Sequence, residues 1–434
     1  MSATNTFDFI IVGAGSAGCV LANHLSADRR FTVLLIEAGK MSHPLTPVPI
    51  SFSRLIDNPK VNWCYGSEPE PVMAQRSIPV PRGRMLGGSS AINGLVYVRG
   101  QPLDYNNWAK LGNRGWSFDD VLPIFQRMEN YGPGADEWRR QGGPLHVSEV
   151  ADQNPLYDAL IAAGEEIGLP NNPDYNGADQ TGLCKTQTTI RGGKRMSAAV
   201  AYLEPARSRP NLTIATEALA HRLTLNGKRC TGISYAVDGR TIDAQARVEV
   251  ILCCGSINSP QLLELSGIGQ PALLKSQGIE VCHSLPGVGE SLRDHIAPRM
   301  GWTISKRGVS FNDRARGLGL LWQIARYAIK RDGFLSLPSA PLVAFIKTHA
   351  DLVSPDAQLH LVPYAFSPTT RRLLDEPGMT ITVYQLRPES LGSIHIKSTD
   401  PHEPPAIRFN FLSDPLDRQT LVAVSYTHLR AHET

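Results

Sequence analysis

The residues Gly13-Ala14-Gly15-Ser16-Ala17-Gly18 form a G-x-G-x-x-G pattern, and Glu37 lies 19 residues beyond Gly18. This combination can bind a dinucleotide. Gly13 permits a tight turn, Gly15 lets the backbone approach a pyrophosphate, and Gly18 lets a helix pack closely on a strand. The free N–H groups and positive end of that helix then face the anion. The Glu37 carboxylate can accept both hydroxyls of an adenosine ribose, and its charge disfavours a 2′-phosphate.

The pattern is informative only if the right elements carry it. Phe7 to Val12 reads as a buried strand, Ser16 to about Ala27 as a helix with Val20, Leu21 and Leu25 on one face, and Phe31 to Ile36 as a second buried strand. That is a βαβ unit, which requires a parallel sheet covered by helices. The turn recognises ADP and does not separate NAD from FAD. There is no Tyr-x-x-x-Lys and no zinc-ligand spacing to serve a nicotinamide dehydrogenase. A meander inserted before the sheet resumes is more typical of flavin folds. It is read from Leu212 to Cys254, with turns at Asn226-Gly227 and Asp238-Gly239 and a return to a buried strand, Val248 to Cys253.

Elsewhere, residues 39–80 hold seven prolines and read as a long functional wrap. Phe118 to Asn130, Pro155 to Gly168 and Asn258 to Leu265 read as helices. Residues 300–400 read as an antiparallel sheet with helices.

Composition narrows the function classes. The 434 residues are 42% hydrophobic and 19% charged, which is globular, and a net charge of +3 over this length does not point to nucleic acid. Seven cysteines without a C-x-x-C pair suggest neither a disulfide framework nor a zinc site, and with no signal segment they place the chain in the cytoplasm. No run is long enough to span a membrane. The sequon Asn211-Leu212-Thr213 is read as accidental.

A second glycine cluster runs Gly83-Arg84-Met85-Leu86-Gly87-Gly88-Ser89-Ser90-Ala91-Ile92-Asn93-Gly94-Leu95-Val96-Tyr97-Val98-Arg99-Gly100. Its paired glycines and serines make an N–H-rich loop suited to an anion. Here the sequence resembles the glucose–methanol–choline (GMC) oxidoreductase family. The cluster is similar to that family's first signature, and Gly255-Ser256-Ile257-Asn258-Ser259-Pro260-Gln261-Leu262-Leu263-Glu264-Leu265-Ser266-Gly267-Ile268-Gly269 to its second. Further similar stretches are Asp104 to Trp108, Ser197-Ala198-Ala199 with Tyr202-Leu203, Arg209 to Thr213, and Gly287-Val288-Gly289 to Asp294-His295. The likeness runs from about residue 7 to about residue 423.

The resemblance implies an α/β fold: a doubly wound, Rossmann-like FAD domain with a β-meander (1–149 and 196–299) and a substrate domain with an antiparallel sheet and helices (150–195 and 300–424). It implies noncovalent FAD and oxidation of a primary or secondary alcohol to the carbonyl, with a quinone, a dye or O2 as electron acceptor. Gly13, Gly15, Ser16 and Gly18 would meet the pyrophosphate, Glu37 and Ala38 the ribose, and Ala220 the adenine. Gly88, Asn93, Gly94 and Val96 would lie along the flavin, with Arg84 approaching it from the same loop. Ile92 stands where some members carry a flavin-linked His. Ser291 stands where the family usually has Asn. Cys253-Cys254 replace a small pair and read as buried hydrophobes.

The family's catalytic His, with a second His or Asn, belongs to a C-terminal segment expected to be missing here. Ser425 to Thr434 is unlike the family and reads as a non-native tail, so His428 and His432 are not assigned as a metal pair and no metal is expected. His295, His349, His360 and His395 read as structural or surface residues. No catalytic base is assigned, and this chain is expected to lack turnover. The alternatives are a flavin-binding fragment without catalysis, or a GMC fold with other chemistry, such as cyanohydrin cleavage or photodecarboxylation.

Overall fold

In the computed structural model, which describes residues 5–367 and 373–430 (backbone alone for 425–430), the opening βαβ unit consists of β1 (Thr6–Val12), α1 (Ser16–Leu25) and β2 (Val33–Ile36). All four β2 residues are buried, as are Ile10, Ile11 and Val12 of β1. A strand with both faces in the core needs helices on each side of the sheet. The chain then forms β3 (Leu212–Ala215), β4 (Ala218–Asn226), β5 (Arg229–Val237), β6 (Arg240–Leu252) and α2 (Gly255–Leu265). The six strands make one sheet in the order β3-β2-β1-β6-β5-β4. The first four are parallel and the last three form the antiparallel meander.

The 13-residue β6 belongs to both halves. From Arg240 to Gln245 it pairs antiparallel with β5, and from Gln245 to Leu252 it runs parallel to β1. The expected turns are present. Asp238 (φ +50°) and Gly239 (φ +75°) are both left-handed, the geometry that matches strand twist in a two-residue hairpin. The strand expected to be buried from Val248 differs, because Val248 is 53% exposed. The register with β1 shifts between Phe7 and Phe9, so Arg247 and Val248 together oppose Asp8. Such a bulge turns Val248 out of the ladder.

α1 packs Cys19 and Ala22 on one face of the sheet, against Ala198–Ala206. α2 and the meander cover the other face. α2 starts at Gly255, three residues before the expected start, and Pro260 falls in its interior, where it forgoes a single backbone hydrogen bond. The Asn211 amide donates to the carbonyls of Ser26, Asp28 and Phe31 at 3.1, 3.2 and 2.8 Å, so this sequon asparagine is consumed by structure.

A second sheet is antiparallel throughout. It contains β7 (Arg299–Thr303), β8 (Leu342–Ile346), β9 (Ala357–Val362) and β10 (Gly378–Gln385), in the order β7-β10-β9-β8, with the strand Gly182–Lys185 added beside β8. Among the helices that accompany this region are α3 (Gly317–Lys330) and α4 (Pro415–Arg430).

The two regions are joined by ionic contacts. Arg139 and Glu129 are fully buried, with Arg139 Nη2 3.0 Å from Glu129, its Nη1 2.8 Å from Asp174, and Arg99 2.6 Å from Glu129. His395, in the strand Ser393–His395, lies between two carboxylates, with Nδ1 2.7 Å from Glu264 and Nε2 3.0 Å from Glu290. The hydrogen bond to buried Glu264 raises the His395 pKa above the usual imidazole value.

Two outcomes follow for stability. A raised folded pKa means the His395 contribution is complete below the unfolded imidazole pKa of about 6.5 and is lost as pH rises through the folded value. Thermal melting of His395→Gln should show that pH dependence removed, and a loss of roughly 3 kcal/mol at low pH because Glu264 keeps a buried charge without its partner. Ser291 holds φ +58°, a conformation asparagine tolerates far better than serine. Ser291→Asn should therefore raise stability by about 0.5–1 kcal/mol in the same melting assay.

Candidate functional site

The parallel strands end at a cavity of about 520 Å³, within the usual range for small-molecule sites. Gly13, Gly15, Ser16, Glu37, Ala38, Gly88 and Ala220 line it, so the structure brings together these seven sequence-predicted residues. The walls are set by backbone contact. A Cβ on Gly13 would lie 2.5 Å from the Cys253 carbonyl oxygen, and one on Gly88 2.7 Å from the Gly15 Cα. Only glycine permits that approach, and Gly88 also has φ +52°. The Gly87 N–H donates to the Ala14 carbonyl at 2.8 Å, which fixes the second glycine loop onto the first.

Gly18 does not line the cavity. Its Cβ would sit 1.9 Å from the Gly13 carbonyl oxygen, so its role is to seat α1 against the turn. Asn93, Gly94 and Val96 also lie outside, on the continuation of the same loop. Buried Arg195 holds Asn93 there, with Nη1 2.8 Å from both the backbone and side-chain oxygens of Asn93. The Ser339 N–H donates to Gly94, and Val96 bridges to Thr188.

Glu37 ends β2 inside the protein. Its Oε2 accepts from the Ala14 N–H at 3.0 Å and its Oε1 from the Gly39 N–H at 2.9 Å. Burial pushes its pKa up to about 7, against the pull of those two N–H groups and of Arg84. Arg84 stacks its guanidinium 4.8 Å from the Trp63 ring centre, and its Nε is buried without a partner among the described residues. Cys253 and Cys254 both line the cavity as free thiols. Burial raises both, Cys254 to about 12, so they remain neutral.

Several lining residues had no role assigned from the sequence. The N-terminus of α2, with Gly255, Ser256 and Asn258, opens on the same cavity as that of α1. Neither helix has a side-chain cap. Both leave free N–H groups toward the cavity, and their dipoles add there. The signal was available: a buried strand followed by glycine and a helix occurs twice. Trp63 and Arg82 also line the wall, brought in by the proline-rich wrap, and nothing local in the sequence marks them.

These features fit a dinucleotide. Two uncapped helix ends face one space and a side chain at Gly15 would point into it; Arg84 itself does not line the cavity, but Trp63, on which it stacks, does. Among the described residues no histidine lines the cavity, and no cluster could hold a metal. His395 is held in its carboxylate triad, and His349 is exposed. His360 is half-buried on β9 with its ring 4.9 Å from that of Tyr384, and burial pulls its pKa down to about 4. His295 packs on Tyr384 from the other side at 6.0 Å. The side chain of His428 and all of His432 lie outside the described residues.

Sequence models of the GMC oxidoreductase family match residues 7–297 and 388–433. The second match takes in most of the segment that had been set apart as a tail. An oxygen-dependent choline dehydrogenase of Photobacterium profundum is 39% identical over 420 residues, covering 95% of this chain and 73% of the relative. One from Rhizobium etli is 41% identical over 414 residues, covering 94% and 74%. Among solved structures, pyridoxine 4-oxidase from Mesorbium loti superposes with a TM-score of 0.88 at 28% identity, covering 98% of this chain and 80% of that one. A formate oxidase superposes at 0.89 with 26% identity, covering 99% and 81%.

Removing the Glu37 carboxylate should weaken FAD binding by about 10–100-fold, the value of hydrogen bonds to a charged group. Flavin titration of Glu37→Ala followed by fluorescence quenching reads this directly. Gly88→Ala should yield soluble protein without yellow colour, because the added methyl meets Gly15 backbone.

Proposed function

The chain belongs to the GMC oxidoreductase family, and on that premise we propose that it oxidises a primary or secondary alcohol to the carbonyl with noncovalently held FAD; the expected lack of turnover is the alternative that the flavin-bleaching test below decides. It is an FAD-dependent oxidoreductase acting on CH–OH donors. The observation that carries the finer reading is the cavity in which two uncapped helix ends, the Gly15–Gly88 contact and the Glu37 carboxylate converge.

When bound, the flavin supplies the hydride acceptor. The rest is done by this chain. The first turns of α1 and α2 hold the diphosphate by backbone N–H groups. Glu37 and Ala38 take the ribose, and Ala220 takes the adenine edge from β4. Arg84 and Arg82 add positive charge on the wrap side. Arg195 fixes the backbone of Asn93 and the Ser339 N–H that of Gly94, the loop assigned to the reacting end of the cofactor. Ile92 is buried among Leu55, Val61, Met85 and Ala91 and offers no nucleophile, which supports noncovalent attachment. The closely similar relatives carry choline in their names, so choline heads the alcohols to be tried. The acceptor is a quinone, a dye or O2, and the relatives' name, oxygen-dependent choline dehydrogenase, puts O2 among the first to be tried.

Two measurements check this. Denaturation followed by ultrafiltration should release all the flavin into the filtrate; flavin retained with the protein overturns the noncovalent reading. Anaerobic addition of choline and simple primary or secondary alcohols to the yellow protein should bleach the oxidised flavin band with at least one of them. A band unchanged by the whole panel argues for a flavin-binding role without alcohol oxidation.

A further inference from the structure

α3 faces the wrong way for a core helix. Leu318, Leu321, Trp322 and Ile329 are 84, 62, 65 and 81% exposed, and Ala325 and Ala328 lie among them. At 100° per residue these positions form one stripe turned away from the protein. The inward side carries polar groups instead. Gln323 accepts from the Phe334 N–H at 3.1 Å, and the Tyr327 hydroxyl donates to the Gly193 carbonyl at 2.9 Å. Those bonds fix the rotation of the helix, so the apolar stripe is held outward.

Charge flanks that stripe. Residues 306–332 contain seven cations (Lys306, Arg307, Arg314, Arg316, Arg326, Lys330 and Arg331) against two carboxylates, Asp313 and Asp332, although the whole chain has a net charge of only +3; Arg326 is paired with Asp332 at 2.6 Å and Arg316 with Asp375, so the excess rests on the other five. Arg326 lies at one edge of the stripe, with Lys330 and Arg331 at the C-terminal end of the helix.

We propose that α3 docks this chain on the surface of an anionic lipid bilayer, with the Leu318–Trp322–Ile329 stripe entering the headgroup boundary and the surrounding cations meeting lipid phosphates. An outward apolar face that includes tryptophan, bordered by basic residues, is the composition that lies in a membrane interface. The helix is not long enough to cross: no described helix qualifies as a span. Area argues against a second copy as the occupant. A helix face of 14 residues is about 21 Å long and 10 Å wide, so roughly 200 Å², against about 800 Å² per partner in a stable complex.

Co-sedimentation of the flavin-loaded chain with vesicles tests the proposal. The probes are vesicles of phosphatidylglycerol mixed with phosphatidylcholine, and vesicles of phosphatidylcholine alone. The chain should pellet with the anionic vesicles, on the order of tenfold less with the neutral ones, and less again at high salt. Leu318→Glu with Trp322→Glu should lower anionic binding by at least about tenfold. Flavin content and melting temperature should be unchanged, since both side chains are exposed. Lys330→Glu should weaken only the salt-sensitive part. A wild-type chain that stays in the supernatant with both vesicles overturns the proposal, as does a double variant that pellets like wild type. A concentration-dependent dimer that the double variant dissociates, without vesicle binding, assigns the stripe to a second copy instead.

Discussion

The Glu37 carboxylate is the point on which the cofactor end of the molecule depends. It is buried at the end of β2, where an ionised group is costly unless it is satisfied. The Ala14 and Gly39 N–H groups satisfy it, the Glu37 N–H donates to Ala215, and its carbonyl accepts from Ala218. The glycine turn, the end of β2, β3 and the start of β4 are thus held by one residue. With the turn fixed, Gly88 can rest on Gly15, and two loops 73 residues apart become one wall. The cavity is a consequence of that closure.

The rest of the fold holds this arrangement in place. β6 ties the meander to the parallel strands as one continuous ladder, so α2 leaves the sheet beside α1 and both point their N-termini at the same space. The His395 triad fastens α2 to the strand pair near the C-terminus, and the Arg99–Glu129–Arg139–Asp174 cluster fastens the Tyr97 segment beyond the glycine loop. Arg99, Glu129, Arg139 and Glu264 are buried charges, and each is paired; removing a partner leaves one of them stranded.

Much of this was legible in the residues, because backbone requirements write themselves into sequence. Gly13 and Gly88 are glycine since nothing larger fits, Gly15 since a side chain there would occupy the cavity, and the Asp238-Gly239 hairpin is legible from the left-handed backbone it needs. The parallel unit was legible from the unbroken apolar runs of β1 and β2. What escaped is what depends on distant partners. Trp63 reaches the cavity through an irregular wrap. Val248 is turned outward by a bulge whose cause is its register against Phe7 and Phe9. Gly18 serves the close packing read from the motif, but it does not reach the wall as the family resemblance implied. The apolar spacing of α3 shows that the helix is two-sided, and period alone does not say which side meets the protein.

The two helix ends that face the cavity have a consequence for how this site changes over time. Their attraction for an anion comes from peptide groups and aligned dipoles, which no point substitution removes and no titration switches off. The side chains around them are then free to vary. Cys253, Cys254 and Ala220 are lining residues of this kind, since the helix-end N–H groups do not depend on their side chains. Mutational drift can therefore remodel much of the wall while the helix ends' share of the diphosphate attraction persists, whereas Glu37 and Gly88 stay constrained.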